Sequence, residues 1–241
     1  MKFILEVIGF TIEGCIIAQD AGANRIELCD NPNEGGTTPS YGFIKTAREK
    51  LGIDLYPMIR PRGGDFVYDN DEFDIMKTDI DVCKNLGCEG AVIGALTTAG
   101  KVDKKRCSAL IEYAYPLGVT FHRAFDRTVD PFEALDDIVE IGCERILTSG
   151  QRPTGIEGAS LIRQLIEYAN ERIIIMPGSG VSANNIIDLA RKTTAVEFHT
   201  SAKKMVPDKM DYKKPEMNES LESISVDGDE VRKIIKQLQE H

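Results

Sequence analysis

The chain has 241 residues, 42% of them hydrophobic, which is enough to bury one sizeable core. Its formal net charge of -10 argues against nucleic acid as a partner, because phosphate contacts need clustered lysine and arginine. No apolar run is long enough to cross a bilayer, and the N-terminal MKFILEVIGF lacks a secretory leader. We therefore expect a cytoplasmic protein without a membrane partner, whose six cysteines are reduced thiols.

Short β-branched and apolar runs alternate with segments of helical periodicity along the whole chain. The strands are predicted at residues 3–8, 24–28, 54–60, 90–96, 118–121, 144–149, 172–176 and 194–199. Helices are predicted at about 11–22, 41–51, 71–86, 103–113, 130–141, 158–169, 182–191 and 229–239. Eight alternations predict an α/β protein with a closed parallel sheet, the TIM (β/α)8 barrel, in a single domain of residues 1–241. A doubly wound open sheet is the alternative.

Local signals mark two helix starts and one break in this rhythm. Asp130 is predicted to cap the fifth helix, with Glu133 completing a capping box, and Ser182 to cap the seventh. Residues 200–226 have no strong period, so they are predicted to form an irregular excursion after strand eight, either a lid or a disordered segment.

Five charged or titratable side chains lie within or at the ends of predicted strands: Glu6, Glu27, Arg60, His122 and His199. Because side chains alternate between the two faces of a strand, Glu27 shares its face with Arg25 and Cys29. In a parallel barrel the carboxyl ends of the strands open on one side, where active sites are built. We therefore expect these side chains to converge, either as a functional site or as a buried ion-pair network that fills the barrel.

Each residue type suggests a role at that mouth. Glu6, Glu27 and His122 are the candidate catalytic groups, two carboxylates as acid and base and a histidine for proton transfer. The glycines around Ser179 can present backbone N–H groups to an anion, and Arg60 can grip a carboxylate or phosphate with its two-pronged guanidinium. The candidate substrate- or anion-binding residues are Arg60, Arg62, Asp126, Ser149, Ser179, Gly180, His199 and Ser201.

A metal site is a separate possibility at the same end of the barrel. His122 and His199 are the two histidines inside the predicted barrel, and with Glu6 or Glu27 they can form a mixed nitrogen and oxygen site. Cys29 adds a soft ligand suited to copper(I). The candidate metal ligands are therefore Cys29, His122 and His199, with copper as the candidate ion.

Several ordered motifs together resemble the copper homeostasis protein CutC family. They are the segments at residues 21–29 (AGANRIELC), 34–40 (EGGTTPS), 60–66 (RPRGGDF), 121–126 (FHRAFD), 147–151 (LTSGQ), 197–202 (EFHTSA) and 226–228 (VDG). The resemblance implies a cytoplasmic TIM barrel, a homo-oligomer, that handles and binds copper, with no established reaction. Some family members carry a cysteine two residues after the first-strand glutamate, where this chain has Ile8.

Three functions follow from these observations. The first is copper homeostasis with copper-ion binding through Cys29 or the histidines. The second is a TIM-barrel enzyme that acts on a small anionic or hydroxylated metabolite at the mouth of the barrel. The third is a scaffold whose polar mouth no longer performs chemistry.

Overall fold

The protein folds as a barrel of eight parallel strands, as the alternation predicted. The computed structural model describes residues 3–218 and 220–241, so Met1, Lys2 and Glu219 of the predicted domain lie outside the described residues. The barrel strands are β1 Ile4–Gly9, β2 Arg25–Leu28, β3 Asp54–Pro57, β4 Gly90–Ile93, β5 Gly118–Phe121, β6 Arg145–Thr148, β7 Ile174–Pro177 and β8 Glu197–Thr200. Their short length follows from the tilt of a closed barrel, in which only the central residues of each run pair.

The strands form two four-stranded sheets that meet at both edges. One sheet has the order β3-β2-β1-β8 and the other the order β4-β5-β6-β7. A parallel bridge between Met58 and Val92 joins β3 to β4, and β7 packs beside β8. Because the sheet closes in this way, residues from the first and the last strand become neighbours: β1 pairs with β8.

In the part of the chain that the structure describes, eight helices surround the barrel and cover it with their apolar faces. They are α1 Ile12–Asp20, α2 Tyr41–Lys50, α3 Asn70–Leu86, α4 Lys104–Ala114, α5 Pro131–Ile141, α6 Ala159–Ala169, α7 Ile186–Thr193 and α8 Gly228–Glu240. In α8, Val231, Ile234 and Leu238 are buried at helical spacing, so periodicity alone found this helix. Among the described residues, no helix combines the length and the apolar character that crossing a membrane requires.

One predicted capping box and one predicted helix start needed correction. The Asp130 carboxylate accepts the N–H groups of Phe132 and Glu133, as predicted, but the Glu133 side chain pairs with Lys101 at 2.7 Å, so the capping box is only half formed. The seventh helix begins at Ile186 rather than after Ser182. The side chain of Asn185 accepts the Ser182 N–H, which stabilises a turn there instead of the first helical residue.

The prediction of an irregular segment at 200–226 was wrong for two parts of it. Lys203–Val206 forms β9 and Ser223–Val226 forms β10, and the two strands pair antiparallel. The side chains of β9 are mostly exposed on both faces, so this strand lacks the alternation of apolar and polar residues that reveals a half-buried strand. The pair folds back over α1, which contacts β10, and leads into α8.

Candidate active site

The register of three neighbouring strands brings four titratable side chains together in the barrel interior. Glu6 of β1 is aligned with Arg25 of β2 on one side and with His199 of β8 on the other. Glu27 lies two residues beyond Arg25 on the same face of β2, one step closer to the mouth. All four side chains are at least nine-tenths buried. The convergence predicted for Glu6, Glu27 and His199 is therefore what the structure shows.

Opposite charges alternate along this interior network, which we define as Glu27, His199, Glu6, Arg25, Glu197 and Arg145. One Glu6 oxygen lies 2.8 Å from His199 Nδ1, and the other accepts from Arg25 Nε at 2.5 Å. A single Glu197 oxygen accepts from Arg25 at 2.6 Å and from Arg145 at 3.1 Å. Such pairing offsets the large cost of removing charges from water.

The charges of the interior network balance only when one proton is added. Its three carboxylates face two guanidinium groups, so full ionisation with neutral His199 leaves one excess negative charge. The groups available to take a proton are His199 and Glu27, whose Nε2 and Oε2 lie 3.8 Å apart. One proton on either this histidine or this carboxylate would neutralise the network.

The two buried carboxylates have opposite acidities because their partners differ. Burial favours the neutral form of Glu6, but the His199 hydrogen bond and the Arg25 charge outweigh it and lower the pKa of Glu6 to about 2. Burial raises the pKa of Glu27 to about 7, since only His199 strongly opposes it. For His199, burial lowers the pKa, but the facing carboxylates, Glu27 first, leave it above the ordinary value. Two carboxylates held apart in this way are typical of acid–base chemistry.

A cavity of about 670 Å³ opens above the network at the carboxyl ends of the strands. Seven of the predicted site residues line it: Glu27, Arg60, His122, Ser179, Gly180, His199 and Ser201. Its wall also includes the cationic side chains Arg123, Arg127 and Lys203. Five predicted site residues, Glu6, Cys29, Arg62, Asp126 and Ser149, do not line the cavity. The site is thus a chamber of mixed polar and apolar lining, with Arg60 and these three cations in its wall beside the carboxylates of Glu27 and Glu34.

Arg60 lines the cavity but holds the protein's own loops. Its two terminal nitrogens donate to three backbone carbonyl oxygens of the loops after β2 and β3, at 2.6–2.9 Å. The Arg60 guanidinium, predicted to bind a substrate anion through both terminal nitrogens, thus uses those nitrogens to bind the protein's own backbone. Arg62 pairs with Glu72 on the outside of the same loop and lies away from the cavity.

Asp126 and Ser149 are likewise used to shape a connection. The Asp126 carboxylate accepts from the hydroxyls of Thr148 and Ser149 and from the N–H of Gln151. It also pairs with Arg123 at 2.8 Å. These bonds tie the turn after β5 to the end of β6, and the ion pair holds the Arg123 guanidinium beside the cavity.

His122 presents one ring nitrogen to the protein and keeps the other free. The N–H of Ala124 donates to His122 Nδ1 at 3.1 Å, which caps the 3-10 turn Arg123–Arg127. Burial and the neighbouring Arg60 lower the pKa of His122 to about 3, so the ring is neutral. Within the described residues, three buried atoms of the lining side chains have no hydrogen-bond partner: His122 Nε2, Glu27 Oε1 and Arg60 Nε.

Residues 3–204 match the family model described as the CutC family. The chain belongs to the CutC family. It is 49% identical over 214 residues to a CutC family protein of Chromobacterium violaceum, covering 89% of this chain and 87% of that protein. A CutC family protein of Parabacteroides distasonis is 50% identical, with 88% of each chain covered.

Solved structures confirm the fold of this CutC family member. A CutC copper homeostasis protein from Streptococcus agalactiae superimposes with a TM-score of 0.79 and 37% identity, covering 83% of this chain and 98% of that chain. Phosphoribosyl anthranilate isomerase from Thermotoga maritima reaches a TM-score of 0.63 at 13% identity, over 99% and 100% of the two chains. At that identity the second likeness concerns the barrel alone.

The metal ligands predicted for this CutC protein do not assemble as a set. Among the described residues, Glu6, Glu27 and His199 form the one group of three whose ligand atoms lie within 4.8 Å of one another. Both Glu6 oxygens are already bound, to His199 and Arg25. The Cys29 thiol is fully buried and donates to Glu27 at 3.6 Å. Burial, together with that carboxylate, raises the pKa of Cys29 well above its ordinary value, which disfavours the thiolate that copper(I) needs.

Sequence reasoning gave no role to three members of the interior network: Arg25, Glu197 and Arg145. Two of them, Arg25 and Glu197, could have been predicted from the two-residue period of side chains along a strand. Arg25 precedes Glu27 by two residues, and Glu197 precedes His199 by two, so each shares a face with a predicted site residue. No comparable spacing links Arg145 to a predicted site residue, because its partner lies on another strand.

Proposed function

We propose that this CutC family member acts in cytoplasmic copper homeostasis, as the name of its Streptococcus agalactiae relative suggests, and that its molecular activity is acid–base catalysis. The substrate class is a small anionic or hydroxylated metabolite bound at the barrel mouth. One observation carries the catalytic proposal: His199 is held by Glu6 through Nδ1 and turns Nε2 toward Glu27 beside the cavity.

The proposed acid–base catalysis depends on the groups that bind a proton at His199 and Glu27. Ionised Glu6 accepts from His199 Nδ1–H, which fixes the ring orientation and stabilises its charged form. His199 Nε2 and the Glu27 carboxyl group lie 3.8 Å apart, so a ligand or a water between them can pass a proton from one to the other, and either group can accept a proton from a ligand or return one. Positioned acid–base groups of this kind typically contribute 10²–10⁴-fold to a reaction rate.

The cationic rim favours an anionic ligand. Arg127 and Lys203 line the cavity and form no side-chain ion pair within residues 3–218 and 220–241. Arg123 stands beside them, already anchored by Asp126. The chain as a whole carries a net charge of -10, so free cations concentrated at one opening create a local field that attracts anions.

We expect inorganic phosphate and small phosphorylated or carboxylated metabolites to raise the melting temperature of the wild-type protein. The double variant Arg127→Gln/Lys203→Gln should lose most of this shift, because it removes the two free rim cations. Thermal shift assays over a phosphate series measure the effect. The matched control is Arg163→Gln/Lys236→Gln, which removes the same charge from outer helix surfaces. An equal loss in the control variant would contradict a site at the rim.

Direct binding of copper is the second candidate, and we retain it because Cys29 places a sulfur atom beside Glu27 in the same site. If the thiol is a ligand, Cys29→Ser should weaken copper(I) binding at least tenfold, with Cys143→Ser, another buried thiol, as the control. Titration against a competing chelator measures the affinity. An unchanged affinity in the double variant Cys29→Ser/His122→Ala would eliminate this site.

A further inference from the structure

Three buried polar atoms of cavity-lining side chains lack a partner, Arg60 Nε, His122 Nε2 and Glu27 Oε1, and the last two are complementary in chemistry. His122 Nε2 and Glu27 Oε1 are both shielded from solvent and make no hydrogen bond within the described residues. Leaving such an atom unsatisfied costs about 1–3 kcal/mol, more for a charged group. Both side chains border the same cavity, so a ligand that satisfies both atoms recovers this cost.

The structure defines what His122 offers to that ligand. Its Nδ1 accepts the Ala124 N–H, so the ring hydrogen must sit on Nε2. The Nδ1 and Cε1 edge of the ring is the part nearest Gly94, where an added Cβ would approach within 2.5 Å. Phe66 packs at 5.0 Å between ring centroids. His122 is therefore a rigid, neutral hydrogen-bond donor at the cavity wall.

The Glu27 carboxylate is also held in place by its neighbours. One Glu27 oxygen is occupied by the Cys29 thiol and faces His199, while Oε1 is free. A neutral imidazole donor and a carboxylate base that border one cavity are the combination that enolisation needs. The donor stabilises negative charge on a carbonyl oxygen, and the base removes a proton from the adjacent carbon.

We propose that the cavity binds an α-hydroxycarbonyl compound bearing an anionic group, with His122 Nε2–H donating to the carbonyl oxygen and Glu27 removing the proton from the neighbouring carbon. This assignment rests on the proposed acid–base function and names its substrate class. The anionic group is held at the rim by Arg127 and Lys203.

The step is balanced without an oxidant or cofactor. The C–H bond breaks, its proton goes to Glu27, and its electron pair becomes the carbon–carbon double bond of an enediolate. The carbonyl π pair moves to oxygen, where His122 Nε2–H stabilises it. Return of a proton to carbon regenerates a carbonyl compound, so in heavy water the substrate gains deuterium next to the carbonyl.

The test uses the full-length protein in deuterium oxide with three probes: dihydroxyacetone phosphate, ribulose 5-phosphate and hydroxypyruvate. Proton NMR follows loss of the signal next to the carbonyl. We expect wild-type protein to catalyse exchange of at least one probe. His122→Asn keeps an acceptor near the Nδ1 position, preserving the bond from Ala124, but removes the cavity donor. It should lower kcat about 100-fold with a smaller change in KM.

Two further variants separate chemistry from folding. His122→Gln returns an amide donor near the Nε2 position and should recover part of the rate, which a purely structural role would not produce. Gly94→Ala pushes a Cβ against the His122 ring, with Ala124 Cβ as the next nearest atom at 3.2 Å, and should reduce exchange as well. His241→Asn, at the far terminus, is the control that leaves exchange unchanged.

The possible negative results distinguish failure of the substrate assignment, of the role of His122 and of the proposed function. No exchange of any probe by wild-type protein would overturn the α-hydroxycarbonyl assignment. Exchange that requires Glu27 but survives in His122→Asn would overturn the donor role of His122. Both results leave the acid–base proposal standing if phosphate still raises the melting temperature. Loss of that phosphate effect in wild-type protein would refute the proposed function itself.

Discussion

Replacing Arg25 with methionine is expected to lower the free energy of unfolding by about 3–5 kcal/mol. The guanidinium of Arg25 bridges Glu6 and Glu197, and all three side chains are almost fully buried. Methionine keeps much of the volume but leaves two carboxylates without their shared cation in a region that water does not reach. Guanidinium chloride unfolding of the wild-type and variant proteins measures the difference.

An exposed ion pair provides the matched control for this prediction. Arg163 pairs with Glu167 one helical turn away, at 41% and 59% side-chain exposure. Arg163→Met should cost no more than about 0.5 kcal/mol, since exposed pairs of this spacing contribute little. If Arg25→Met and Arg163→Met lose equal stability, then the interior network is not the buried, charge-balanced unit described above.

The second large effect concerns pH. Glu27→Gln is expected to leave stability unchanged near pH 4 and to raise it by about 2–3 kcal/mol above pH 7. The pKa of Glu27 is about 7 in the folded protein against an ordinary 4.5, so the folded state holds the proton more tightly than the unfolded chain. Wild-type protein therefore loses stability as the pH rises from 4.5 through 7, whereas glutamine, which resembles the protonated acid, does not.

The contribution of Glu6 to the free energy of unfolding changes with pH in the opposite direction and in a lower pH range. The contribution of Glu27 can therefore be measured separately. Because the pKa of Glu6 falls to about 2, its stabilising effect is complete above pH 4.5 and disappears as the pH falls toward 2. Urea unfolding from pH 4 to pH 8 should therefore show the Glu27→Gln difference only in the upper part of the range. Glu49→Gln, at an exposed position, is the control. A Glu27→Gln difference that is constant with pH would contradict the raised pKa.

This prediction also explains why a carboxylate stands at position 27. A glutamine there would avoid the cost of ionising a buried acid near neutral pH. A residue that lowers stability at the wall of a cavity is typical of a site selected for chemistry rather than for folding. The same variant should therefore be more stable and unable to promote exchange, which makes it a direct test of the trade-off.

Much of the fold was predictable because it depends on local periodicity. Residues buried along strands and along one face of each helix recur at spacings visible in the chain, and α8 is an example. The hairpin of β9 and β10 escaped prediction because its stability comes from pairing with a distant partner and from packing on α1. The start of α7 escaped because the Asn185 side chain, not Ser182, organises that turn.

The sequence by itself determined which side chains of each strand share a face and which strands carry charged groups near one end, since neither requires knowledge of the neighbouring strands. Glu6, Glu27 and His199 could therefore be assigned to one interior. Only the tertiary structure decided which groups meet: the pairing of β1 with both β2 and β8 gives Glu6 its two partners. Acidity depends on contacts across strands, so two glutamates that look alike in the sequence become an ionised anchor and a proton carrier near neutral pH.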